Sequence, residues 1–163
     1  MIEINFIMSN FVPERIYKTF LENMPIFCID FLINCDNEFL LLKRNEEPLK
    51  GVFWMPGGRL HKNETIENFL IRVQSREIGR FFKNYNLIGF SNYFFKYSIN
   101  SRATHTPTLL FEINIKSKFT PKIDRTHAKF TWSKELPKDL IDNLILLRKP
   151  QSIYLLDKFN KVI

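Results

Sequence analysis

The residues with the clearest capacity for chemistry lie between Trp54 and Gly79. Pro56-Gly57-Gly58 reads as a turn that exposes backbone groups where no side chain blocks an approaching ligand. A loop follows and feeds a helix on which Ile66, Phe69, Leu70 and Val73 form one apolar stripe. Glu77 stands seven residues after Leu70 and four after Val73, so it continues that stripe and points its carboxylate toward the sheet. Buried carboxylates seldom occur without a partner, and Mg²⁺ is a natural one. A salt bridge with Arg76 or Arg80 on the helix surface is the alternative. Arg72, one turn earlier, is placed to orient a neighbouring carboxylate through a bidentate contact. Asp30, inside an apolar strand, is expensive to bury alone, which points to a site or an interface.

Gly58, Glu64, Arg72, Glu77 and Gly79, with Gly57 before them, keep the spacing of the Nudix box, and the segment resembles it. Two positions depart from that pattern. Val73 stands where a glutamate usually follows the arginine, and Arg76 replaces the first of the later glutamate pair. This helix therefore lacks the carboxylate cluster with which typical Nudix enzymes hold several Mg²⁺ ions. A reduced box is similar to that of the GDP-mannose mannosyl hydrolase subfamily. The likeness extends over most of the chain: Asp30-Phe31, Glu38 to Leu41 running to Lys43-Arg44, Gly51 before Trp54, Pro56 to Arg59, and His127 five residues before Trp132.

The resemblance implies a Nudix fold, an α/β/α sandwich with a mixed sheet. It implies Mg²⁺-dependent hydrolysis of a GDP-sugar, GDP-mannose first, to GDP and free sugar, with water attacking the anomeric carbon and inverting it. The Gly57 carbonyl and Glu77 would ligate Mg²⁺ (Mn²⁺ is possible), and Thr126 stands where the subfamily has a third ligand. Arg44 and Arg59 would contact the diphosphate or sugar and steady the leaving group, a role that suits planar guanidinium forks. Asp30 would help bind substrate. Tyr93 falls near a histidine of the subfamily, and Thr106 where it has a tyrosine. His127 would be the general base, since an unperturbed imidazole titrates near working pH. His105 and His61 carry no such correspondence.

The elements that must position these residues are legible in outline. Pro13 to Met24 reads as an amphipathic helix with proline in its first turn. Ile26 to Asn34 and Glu38 to Arg44 form a hairpin about Cys35-Asp36-Asn37. Val52 to Met55 is short and extended, stopped by Pro56-Gly57-Gly58. Thr65 to Ile78 is a helix capped by Thr65 and ended by Gly79. Asn86 to Tyr97, Thr108 to Ile115 and Lys129 to Trp132 read as strands, and Leu140 to Leu147 and Gln151 to Phe159 as helices. Strands without regular βα alternation predict an α+β class.

The 163 residues fit a single domain over 1–163, and 45% hydrophobic with 25% charged residues is an ordinary globular balance. The most apolar stretch, Pro25 to Ile33, is short and cut by Asp30, so no membrane span is expected. The N-terminus lacks a secretory pattern, and a cytoplasmic location is expected. Cys28 and Cys35 support neither a zinc site nor a disulfide framework. The net charge of +7 suits an anionic partner, but no block of like charges marks a nucleic-acid surface. The subfamily is typically homodimeric, and Asp30 and the N-terminal segment are expected near that interface. Two other functions stay open. One is a Nudix pyrophosphatase cutting between the phosphates of another nucleoside diphosphate derivative. The other is a non-catalytic nucleotide-sugar binding module, which Thr126 and Thr106 favour.

Overall fold

The computed structural model describes residues 12–96 and 103–146. In chain order the elements are α1 (Glu14–Asn23), β1 (Cys28–Cys35), β2 (Glu38–Arg44), β3 (Phe53–Trp54), β4 (Gly57–Arg59), α2 (Ile66–Glu77), β5 (Tyr85–Phe95), β6 (Thr104–Asn114), β7 (His127–Ser133), α3 (Lys138–Asn143) and β8 (Leu144–Leu146). They build one mixed sheet of eight strands in the order β3-β2-β1-β6-β5-β8, with β4 paired to β1 and β7 to β2. The class is α+β, as the sequence predicts.

Strand β1 is the centre of the molecule. Every residue after Cys28 in it is buried, and it pairs parallel with β6 from Cys28↔Thr108 to Asn34↔Asn114. Alternation sends Ile29, Phe31 and Ile33 to one face, where Phe69, Leu70 and Val73 of α2 pack on them. Leu32 faces the other side with Leu136 and Leu140 of the α3 region. Asp30 shares that second face by the same alternation. The hairpin to β2 closes through Asp36 and Asn37, both at positive φ (51° and 63°). That is the conformation a two-residue hairpin loop needs.

Helix α2 is held at both ends. The Thr65 side chain accepts from the Asn68 N–H at 3.1 Å. Gly79 follows the helix at φ 69°, and a Cβ there would lie 2.8 Å from that of Lys122. Glu64 and Arg72 then clamp the loop before the helix to its second turn: Nε donates to Oε1 at 2.6 Å and Nη2 to Oε2 at 2.8 Å.

Three expectations need correction. Residues 57–59 are a strand rather than only a turn, because Gly57 and Gly58 lie flat against β1 with Asp30↔Gly57 and Ile29↔Gly58 in register. The segment 140–147 is not one helix. Helix α3 ends at Asn143, and Leu144–Leu146 adds an antiparallel edge strand to β5 through Gly89↔Leu146. An open strand edge offers that apolar tripeptide more than another helical turn does. Strand β6 starts at Thr104 rather than Thr108, because β5 pairs with it as far as Phe95↔Thr104. Gln151 to Phe159 and the end of the long strand at Tyr97 lie outside the described residues. Among the described residues no helix is long and apolar enough to cross a membrane.

Candidate active site

Two groups of side chains meet at the β1–β4 seam. The first lines a pocket on the face opposite α2: Asp30, Arg44, Gly57, Arg59 and Tyr93, all expected at the site, with Trp54, Thr104 and Thr106 beside them. Asp30 is buried, and its Oδ2 accepts from the Trp54 indole N–H at 3.2 Å. Burial pushes its carboxyl up to about 7, against the pull of that hydrogen bond and of the Arg44 charge. Arg44 sits at the end of β2 with Nε donating to the Pro48 carbonyl at 2.6 Å. Arg59 lies over the Tyr17 ring at 5.2 Å. Tyr93 is buried, edge-on to Trp54 at 5.5 Å, and is the cross-strand partner of Thr106. The buried hydroxyls of Thr104 and Thr106 make no hydrogen bond, so the pocket wall carries two open polar positions.

The second group does not line that pocket. Glu77, Thr126 and His127 gather beside it with Arg76 and Asp124. Glu77 is buried, and its two oxygens are taken separately: Oε2 by the Gly57 N–H at 3.0 Å, Oε1 by Arg76 Nη2 at 2.5 Å. Burial raises its carboxyl above the usual range, opposed by the charges of Arg76 and His127. Arg76 also reaches Asp124 Oδ2 at 3.5 Å. Asp124 Oδ1 faces His127 Nδ1 at 3.0 Å and accepts from the Thr126 hydroxyl at 2.5 Å and the Thr126 N–H at 3.0 Å. Burial disfavours the Asp124 anion, but these hydrogen bonds prevail and hold its carboxyl below the usual range.

The two groups are coupled by backbone. Gly57 pairs with Asp30 on one side and donates to Glu77 on the other. Arg44 pairs with His127 across β2 and β7, and the Asn45 N–H donates to the Thr126 carbonyl at 2.8 Å. Neither His105 nor His61 lines the pocket, and His61 is held below the usual imidazole range by burial and by the charges of Arg72, Arg59 and Arg76. His105 stacks on exposed Phe94 and contacts Asn92 Oδ1 at 2.6 Å.

Glu77 and Asp124 already share one cation, the Arg76 guanidinium, so the two carboxylates fit a positive charge. Thr126 turns its hydroxyl to Asp124. Among the described residues no three His, Cys, Asp or Glu side chains converge as a metal-binding group, so backbone, water or ligand oxygens would complete the shell.

The alternative of a Glu77 salt bridge with Arg76 is present, whereas sequence reasoning passed over Asp124. The signal for Asp124 was its spacing of three residues from His127, which a tight turn converts into an Asp–His contact.

No family model matches the chain. A curated relative from Methanocaldococcus jannaschii, an ADP-ribose pyrophosphatase, is 31% identical over 130 residues, covering 78% of this chain and 72% of that protein. The low-salt glycan biosynthesis protein Agl8 of Haloferax volcanii is 34% identical over 68 residues, 42% of this chain. That match spans only 44% of the Haloferax protein. The crystal structure of a MutT Nudix hydrolase from Burkholderia pseudomallei superposes with a TM-score of 0.59 at 19% identity, covering 83% of this chain and 96% of that one. The mixed sheet with its few helices is thus that of a Nudix fold. The chain belongs to the Nudix hydrolase family.

Proposed function

We propose that this protein hydrolyses a nucleoside diphosphate joined to a sugar, a GDP-sugar and first of all GDP-mannose, releasing GDP and the free sugar. The observation that carries this reading is the His127–Asp124 pair beside Arg44. A buried imidazole held at Nδ1 leaves Nε2 as the proton acceptor. His127 would take a proton from water while the water oxygen bonds to the anomeric carbon. The bond from that carbon to the diphosphate oxygen breaks, and its electron pair leaves with GDP. Arg44 and Arg59 would receive the diphosphate as it gains charge, and Asp30, Tyr93, Thr104 and Thr106 offer hydrogen-bonding groups to substrate in the pocket. Glu77 and the Gly57 carbonyl would hold Mg²⁺ or Mn²⁺, with Thr126 or water in a further position. When bound, the ion neutralises charge on the leaving diphosphate. The subfamily likeness extends the reading to a cytoplasmic homodimer.

The name of the Methanocaldococcus relative supports a second reading, cleavage between the two phosphates. Both readings share a substrate class, since ADP-ribose is also a nucleoside diphosphate carrying a sugar. The Haloferax relative's part in glycan biosynthesis is compatible with sugar chemistry. The loss of helix carboxylates at Val73 and Arg76 favours displacement at carbon over attack at phosphorus. Incubation with Mg²⁺ and GDP-mannose, read by anion exchange and proton NMR, separates the two. GDP with free mannose appearing first as the β-anomer supports the proposal. GMP with mannose 1-phosphate replaces it by the pyrophosphatase reading. Binding without turnover across a panel of sugar nucleotides would mark a binding module.

A further inference from the structure

We propose that Arg76 is a tethered cation that competes with the divalent metal for Glu77, and that the anionic substrate draws it away, so that metal and nucleotide load together. The inference rests on the proposed metal role of Glu77 but goes beyond it. Its starting point is a reversal of charge: Arg76 occupies a box position where a carboxylate is usual.

The geometry makes the competition direct. Glu77 is buried with only 4% of its side chain exposed. Its Oε2 accepts from the Gly57 N–H, and Oε1 is held by Arg76 Nη2 at 2.5 Å, so the guanidinium occupies the carboxylate edge beside which a metal ion would bind. The same guanidinium reaches a second carboxylate, Asp124 Oδ2, at 3.5 Å. Two carboxylates and one guanidinium leave the cluster one negative charge short of what it would offer without Arg76. A hard dication feels that difference strongly at contact distance.

Arg76 is also free to leave. Its side chain is 47% exposed, against 4% for Glu77 and 18% for Asp124. Its Nη2 lies 3.8 Å from where a Cβ of Gly58 would be, on the α2 side of a β4 glycine that also lines the pocket. A diphosphate entering there offers oxygens that a planar fork binds better than a single carboxylate oxygen does. Binding the anion and freeing Glu77 then become one event. Linkage requires the converse as well: metal on Glu77 releases Arg76 to the diphosphate.

The test uses binding alone and is independent of which bond is cut. Mn²⁺ binding to nucleotide-free protein is followed by electron paramagnetic resonance, and GDP binding in EDTA by calorimetry. Wild type is compared with Arg76→Ala and Arg76→Lys, with thermal melts confirming that each variant folds. Arg76→Ala is expected to bind Mn²⁺ about tenfold more tightly than wild type, as removal of one adjacent like charge requires. It is expected to bind metal-free GDP about tenfold more weakly. Arg76→Lys keeps the charge and should stay close to wild type for Mn²⁺. Equal or weaker Mn²⁺ binding by Arg76→Ala overturns the proposal, and so does failure of Arg76→Ala to bind Mn²⁺. A GMP product in the turnover assay would instead overturn only the carbon-displacement reading.

Discussion

The Gly57 N–H donates to Glu77 Oε2 at 3.0 Å, so the buried carboxylate at the end of helix α2 is fixed by a glycine from the strand paired with β1. The contact requires Gly57 to lie unusually close to β1. A Cβ at this position would sit 2.0 Å from Asp30 Oδ1 and 2.7 Å from the Ile29 carbonyl oxygen. Gly57→Ala should therefore push β4 off β1 and destabilise the protein by about 3 kcal/mol, the upper range for overpacking. Urea denaturation measures it. A change under about 0.5 kcal/mol would show that the seam has slack that the close approach denies.

Arg72 acts on the same seam from the helix side. Its fork binds both oxygens of Glu64, and Nη2 also donates to the Arg59 carbonyl at 3.1 Å. Lysine can supply one such contact but not the fork. Arg72→Lys should cost about 1–2 kcal/mol of stability. It should also weaken GDP binding several-fold, since Arg59 loses its backbone anchor. Calorimetry reads both, and full-strength GDP binding in the variant would detach Arg59 from the clamp.

Asp30 makes the stability of the protein depend on pH. Its folded carboxyl is pushed from 3.8 to about 7, chiefly by burial. Between those values the native state holds a proton that the unfolded chain has released. Stability attributable to Asp30 is fully present below pH 3.8 and falls as pH rises through 7. Asp30→Asn should remove this decline and melt higher than wild type at pH 8, while losing affinity for the sugar nucleotide. Parallel melting curves of the two proteins from pH 5 to 8 would contradict the assignment.

How far the site could be read in advance follows from which contacts are local. Thr65 capping α2, Glu77 on its inner stripe and the hairpin at Asp36-Asn37 are set by spacing within a few residues, and these were legible. The convergence of Asp30, Arg44, Arg59 and Tyr93 on one pocket comes from pairing across β1, β2, β4, β5 and β6, which no local period encodes; only the family resemblance anticipated it. Strand β8 was missed because an edge of β5, distant in sequence, decides its conformation. Asp124 was missed because a lone acidic residue in a polar loop looks solvated until the turn brings it to His127.

That turn yields the last prediction. Asp124 accepts from both Thr126 donors and faces His127 Nδ1, while burial of His127 keeps water from taking its place. In the proposed hydrolysis its part would be to hold the ring so that Nε2 meets the attacking water, a positioning role rather than that of a proton acceptor. His127→Ala should lower kcat by about 10²–10⁴, the span expected for loss of a general base. Asp124→Asn can still accept through its amide oxygen, so its loss should be smaller, about tenfold to a hundredfold in kcat with KM little changed. Asp124→Ala should approach the His127→Ala value, and Asp124→Glu should recover part of it. A fall that appears in KM instead, or an equal loss in all three Asp124 variants with lowered melting temperatures, would reduce Asp124 to a structural tie of the loop.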